Sequence, residues 1–169
     1  MTRPAASEHH EYFSRYIDLV PESDILPLLE KQIAEVRGLV ARARGKEQFA
    51  YAAGKWTVRE VMGHVTDTER VFGYRALVFG RHDATELPGF DENAYAANSR
   101  AGDIPLANLV EEFALVRGSN VRLLGALPPD TWSSTGVANH RTISIRAPSY
   151  LMAGHVRHHL NGLSRDYVI

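Results

Sequence analysis

Gly154-His155-Val156-Arg157-His158-His159-Leu160 stands near the end of the chain. His155 and His159 are four residues apart. On a helix that is about one turn, roughly 6 Å of rise, with both rings on one face. Two imidazoles so placed can grip one divalent ion, as the paired histidines of zinc enzymes do. His158 competes with His159, because a three-residue step also shares a face. Two ligands seldom complete a site, so a third should come from elsewhere. The candidate is His64, in Val61-Met62-Gly63-His64-Val65-Thr66-Asp67.

Working outward, Tyr150, Leu151, Val156, Leu160 and Leu163 give the last stretch an inward apolar face, so a helix is expected there. Ser144 or Ser149 would cap it, with Pro148 near its start. Residues 130–143 read as irregular. A helix from Asp103, as cap, to about Leu127 is stopped by Pro128-Pro129. Residues 81–102 read as a long polar connection, of the kind that crosses a structure or carries function. A helix over about 58–80 opens on Thr57 and Glu60, which read as a capping box. His64 falls beside its apolar stripe of Val58, Val61, Met62, Val65 and Phe72. The earliest long helix is expected over about 22–43, with Ser23 or Asp24 as cap and Gly45 as its end. Before it, Tyr12, Phe13, Tyr16 and Ile17 predict a short helical turn packed on a bundle.

Four amphipathic helices without a strand pattern predict an all-α bundle. One domain is expected over residues 1–169, with residues 1–11 a flexible leader in which His9 and His10 are solvated. The chain carries 20 acids against 19 Lys and Arg, for a net charge of -1, and has no long basic run. No nucleic-acid partner or anionic membrane surface is therefore expected. No apolar run is long enough to span a bilayer, and a cytoplasmic protein is the default. There are no cysteines, so any metal must be held by His, carboxylate and water, and any thiol chemistry needs an exogenous thiol.

Several motifs together resemble the DinB/YfiT-like superfamily. They are Gly54-Lys55-Trp56-Thr57-Val58-Arg59-Glu60, then Gly63-His64 with Asp67 and Glu69, then Tyr74-Arg75-Ala76. Leu87-Pro88-Gly89-Phe90-Asp91-Glu92-Asn93-Ala94-Tyr95 follows, and the closing histidine stretch completes the set. The likeness runs from about Tyr12 to Tyr167. It implies a four-helix bundle of up-down-down-up order, with the connection after the second helix as crossover. It also implies one divalent metal, zinc or nickel, on His64, His155 and His159, and a homodimer. Relatives include enzymes that use a low-molecular-weight thiol as co-substrate. One departure is Val156, where many relatives place Glu; without it, peptidase chemistry of the H-E-x-x-H type has no base.

Of the remaining polar residues, Asp67 and Glu69 read as exposed helix acids or as groups orienting a ligand ring. Arg75, in line with His64, reads as a structural ion-pair partner. His82 and His140 read as solvated, and Trp56 and Trp132 as anchors. Three neutral imidazoles leave coordination positions open, which is the pattern of catalytic rather than structural zinc sites. The expected function is a metal-dependent transferase or hydrolase acting on a small molecule, with a thiol as candidate co-substrate and no general base assigned. The alternative is a non-enzymatic, stress-associated metal-binding bundle.

Overall fold

The computed structural model of the protein describes residues 2–169. The helices are α1 Ser14–Ile17, α2 Ile25–Arg37, α3 Leu39–Arg42, α4 Val58–Gly80, α5 Glu92–Asn98, α6 Leu106–Gly125 and α7 Arg146–Gly162. Two strands, β1 Thr135–Ala138 and β2 Arg141–Ser144, form an antiparallel hairpin. The bundle is made by α2, α4, α6 and α7. Both α6 and α7 pack against both α2 and α4.

Helix α4 starts where the sequence says it should. The Thr57 hydroxyl accepts from the Glu60 N–H at 3.2 Å, and the Glu60 carboxylate accepts from the Thr57 N–H at 2.7 Å. Other boundaries moved, for local reasons. The first long helix is interrupted at Gly38, a residue of low helix propensity, and resumes as the short α3. Asp24 occupies the cap position of α2 without a side-chain cap bond. Helix α6 begins after Pro105, because the Asp103 carboxylate is engaged by Arg100 at 3.1 Å. Helix α7 begins at Arg146, with the Ser144 hydroxyl accepting from the Ala147 N–H at 3.3 Å. Ser149 lies inside that helix and donates back to the Ile145 carbonyl, so it is no cap.

Three expectations are corrected outright. Residues 81–102 hold α5 and a 3-10 turn, and Leu87 makes a parallel bridge to Ala138. Residues 135–144 form the hairpin, whose turn residues Asn139 and His140 both have positive φ, as a two-residue primed turn demands. The polar leader is docked, not loose: Pro4 is buried and Glu8 pairs with Arg146 at 2.8 Å. Its first residue, Met1, lies outside the described residues.

The apolar core divides in two. One cluster gathers Leu29, Phe72, Phe79, Leu124, Ile143 and Leu151, among others. The second gathers Val36, Val61, Val65, Val110, Phe113 and Val156, among others. Helices α2 and α7 begin in the first cluster and end in the second, whereas α4 and α6 run the other way. Between the clusters lies a buried polar belt. Arg117 donates to both carboxylate oxygens of Glu69 at 2.8 Å, to Gln32 Oε1 at 2.8 Å and to the Met152 carbonyl at 3.0 Å. Asn120 donates to Glu69 Oε1 at 2.9 Å, and Gln32 to the Ala153 carbonyl at 2.9 Å. The belt thus touches all four bundle helices. Two close approaches depend on glycine. A Cβ at Gly73 would meet Asn120 Oδ1 at 2.3 Å, and one at Gly154 would meet the Tyr16 carbonyl oxygen at 2.1 Å.

Removing one member of a buried ion pair leaves an uncompensated charge in the core. Arg117→Met is therefore expected to destabilise the protein by about 3–5 kcal/mol. The double variant Glu69→Met/Arg117→Met should recover part of that loss, since neither charge remains. Denaturant unfolding at neutral pH reads both; a double variant worse than the sum of its parts would refute the assignment.

Candidate metal centre

Helix α4 carries His64 two turns from its start, and α7 carries His155 and His159 near its end. The opposite sense of the two helices brings an early turn of one level with a late turn of the other. His64 Nε2 lies 3.0 Å from His155 Nε2, and His159 Nε2 lies 3.0 Å from the same atom. Ligand atoms of all three fall within 4.8 Å of one another. Three nitrogens at ordinary zinc bond lengths around one tetrahedral ion would be about 3.3 Å apart. The donor set therefore fits one divalent ion with small adjustment.

The surroundings hold the rings in place. Trp56 lies against His64 with ring centroids 4.7 Å apart. The Trp56 carbonyl in turn accepts from the Tyr167 hydroxyl at 2.6 Å. Tyr16 meets His155 edge-on at 5.4 Å, and it reaches there because Gly154 lets α1 approach the backbone of α7. His158 is exposed and points its ring at Tyr16, 5.2 Å away, so it lies outside the trio.

Burial disfavours the protonated ring. It pushes His64 down to about 4, opposed in part by the nearby Glu92 charge, and His159 down to about 3. Burial also holds His155 well below the usual imidazole value, with His159 and His64 adding to the effect. All three rings are neutral at pH 7, and neutral imidazole is the form that binds metal. A single N–H or lone pair on His155 Nε2 cannot give both neighbouring rings a full hydrogen bond, so hydrogen bonding alone cannot satisfy all three nitrogens. A cation at their centre can.

A cavity of about 500 Å³ opens beside the trio. Its wall includes Thr68, Phe72, Arg75, Phe90, Glu92 and Arg141. A second cavity, of about 540 Å³, lies on the other side of Trp56 and His159, lined by Arg15, Lys55 and Asn161 among others. Glu92 is the one carboxylate lining the first cavity among the described residues.

Several residues singled out in the sequence stand elsewhere. Asp67 pairs with Arg70 at 3.3 Å and makes no recorded bond to a ligand ring. Glu69 is not exposed, and it orients no ligand ring by a recorded hydrogen bond; it is the buried partner of Arg117. Arg75 is not an ion-pair partner: it is buried, and its recorded hydrogen bond goes to the Pro88 carbonyl. His140 is exposed and faces Glu86, and His82 is exposed. His10, expected to be solvated, is half-buried and lines the first cavity. Sequence reasoning passed over Thr68 and Glu92. Thr68 could have been found, since it follows His64 by one helical turn. Glu92 could not, because only the fold of the crossover carries it to the cavity.

The model of the DinB superfamily matches residues 28–162. Among solved structures, the chain is similar to YfiT from Bacillus subtilis, described as a probable metal-dependent hydrolase with an unusual four-helix bundle topology. The two share 20% identity and a TM-score of 0.74, over 98% of this chain and 93% of that one. At that identity the likeness speaks for the fold. Comparison with curated proteins gives no match.

The depressed pKa values set a pH dependence. Free imidazole titrates near 6.5. Below that pH the unfolded chain takes up protons that the folded, metal-free chain refuses until about pH 4 at His64 and about pH 3 at His159. The metal-free protein should lose stability as pH falls from about 6.5 toward 4, with no contribution from these groups above 7. Denaturant midpoints at pH 7 and 5 measure it. Equal midpoints would refute the buried, neutral state of the trio.

Proposed function

This chain belongs to the DinB superfamily, and from that premise we propose that it is a metal-dependent hydrolase of small molecules, with one divalent ion held by His64, His155 and His159. The observation that carries the reading is the convergence of three neutral imidazoles on the edge of a cavity of about 500 Å³, large enough for a small substrate. Zinc or nickel suits an all-imidazole donor set. Such an ion, when bound, keeps open positions at which it polarises a carbonyl or acidifies a water.

The remaining work falls to the chain's own side chains. Glu92 is placed to accept a proton at its carboxylate; it lines the cavity, and its charge is felt at His64. Val156 cannot substitute for it, being buried in the core. Trp56 and Tyr16 fix the ring orientations of His64 and His155. Phe72 and Phe90 give the cavity an apolar wall that favours an organic substrate over bulk water.

A second reading, transfer of a low-molecular-weight thiol, is supported by the second cavity. The two cavities meet at Trp56 and His159, an arrangement suited to two substrates. The chain has no cysteine, so the thiol would come from solution. The up-down-down-up order belongs to the same proposal, supported by the opposite sense of α2 and α7 against α4 and α6. So does a homodimer, supported by Tyr74, Leu77 and Leu115, which are exposed on the adjacent helices α4 and α6. A cytoplasmic location is proposed too; no helix among the described residues is long and apolar enough to cross a membrane.

Protein purified without an affinity tag should hold about one equivalent of divalent metal, and His159→Ala should lose it. Against a panel of small esters and amides, with and without an added thiol, Glu92→Gln should keep the metal and lose about 10²–10⁴-fold in kcat. Activity that survives metal removal would refute the enzyme reading. A folded, metal-loaded protein inert across the whole panel would favour a non-enzymatic, stress-associated bundle instead.

A further inference from the structure

One face of α4 forms a graded wall of the cavity beside the histidines. His64, Thr68, Phe72 and Arg75 all line it. They follow one another at steps of four, four and three residues, which is one stripe of a helix. The metal site stands at one end of that stripe and Arg75 at the other.

Two groups on this wall are open to a partner from the cavity, a buried hydroxyl without a hydrogen bond and an arginine without a carboxylate beside it among the described residues. The Thr68 hydroxyl is buried and has no hydrogen-bond partner among the described residues. A helical threonine commonly returns its hydroxyl to the carbonyl four residues back, as Thr66 does to Met62 at 2.9 Å. Thr68 does not. Arg75 is 5% exposed, and no carboxylate pairs with it among the described residues. A guanidinium has five N–H donors. The recorded bond uses one of them, to the Pro88 carbonyl at 3.2 Å, while the Phe72 ring lies 5.7 Å from its central carbon. Phe72 is three residues toward the start of α4, so the side chain folds back toward His64, as long helical side chains do. Burial lowers the Arg75 pKa, with no opposing charge to offset it. The charged side chains that share the cavity, Glu92 and Arg141, are both exposed. Arg75 also borders a smaller cavity of about 300 Å³ beyond Gly89 and Phe90, but no histidine and no orphaned hydroxyl lines that one.

A buried cation without a counter-ion is costly, and the cost is recovered when an anion arrives. We propose that Arg75 anchors a carboxylate of the substrate, with Thr68 hydrogen-bonding the stretch between that carboxylate and the metal site. The planar fork of a guanidinium matches a carboxylate in bidentate fashion. A single buried arginine among Phe72, Phe90 and Ile143 suits a monoanion with an apolar middle. The substrate class is then a small acyl ester or amide with its hydrolysable group at the metal end and a carboxylate at the far end. This rests on the metalloenzyme reading for its metal end alone.

The test uses monohydroxamates of straight-chain dicarboxylic acids, from succinic to suberic, each beside its methyl ester. The hydroxamate seeks the metal; the free carboxylate seeks Arg75. Calorimetry on the zinc-loaded full chain should find, at the best chain length, the acid bound about tenfold or more tighter than the ester. Arg75→Gln should abolish that preference while leaving metal content and ester affinity unchanged, which a merely structural arginine would not do. Thr68→Val should weaken acid and ester alike. Equal binding of acid and ester to the wild type at every length overturns the proposal, and needs no variant to fold. Should the protein retain no zinc, the metal reading fails separately and the Arg75 Nε–Hε resonance decides. A saturable shift with hexanoate and none with hexanamide supports the anchor; no shift with either overturns it.

Discussion

The buried pair of Arg117 and Glu69 is the constraint on which the rest of the bundle depends. Apolar side chains would hold four helices together in many rotations and registers, because the hydrophobic effect has no direction. Hydrogen bonds do have direction. Arg117 reaches Glu69 on α4, Gln32 on α2 and the Met152 carbonyl on α7, and only one arrangement of the four helices meets all three at 2.8–3.0 Å. A misregistered bundle would bury an unpaired guanidinium, which costs far more than a misplaced leucine. The belt also sits close in sequence to the metal centre. Glu69 follows His64 by five residues, and Ala153, held by Gln32, precedes His155 by two. Fixing the register of α4 against α7 at the belt fixes the separation of the histidines.

That coupling explains how three neutral rings can be held together with no carboxylate hydrogen-bonded to any of them among the described residues. Burial disfavours the protonated form of each imidazole, and two of the three are fastened by elements outside the trio. Trp56 sits just ahead of the capping box that starts α4, so the cap and the wall behind His64 form one local structure. Tyr16 belongs to α1, which approaches α7 at a glycine where any side chain would strike backbone. The leader segment, docked through Glu8 and Arg146, continues into that same α1. Much of the chain that looks peripheral serves to hold two rings still.

Local chemistry was legible in the sequence, and long-range pairing was not. The Thr57–Glu60 cap, the extent of α4, the four amphipathic helices and the histidine trio all follow from patterns a few residues long. The hairpin escaped notice because Thr135–Ala138 and Arg141–Ser144 are too short to alternate convincingly, and the turn signal rests on Asn139 alone. The crossover helix escaped because α5 has a single buried residue, Ala96, and so no apolar stripe. Glu69 and Arg117 lie 48 residues apart. Each alone reads as an ordinary surface charge on its helix, and nothing in either neighbourhood points to the other.

The two buried arginines also show where structure ends and a site begins. Arg117 and Arg75 are nearly equally withdrawn from solvent, yet their surroundings are opposite. Around Arg117 the accounts of donors and acceptors close: a bidentate carboxylate, an amide oxygen and a backbone carbonyl absorb its donors. Around Arg75 a single bond, to the Pro88 carbonyl, is recorded and no carboxylate pairs with it among the described residues, while the Thr68 hydroxyl on the same wall has no partner there at all. A buried hydroxyl without a partner and a buried cation without a counter-ion are each individually unfavourable, and both line the cavity that the three histidines border. Their common address beside a cavity is what the proposed cation at one end and the proposed anionic substrate along the rest would answer.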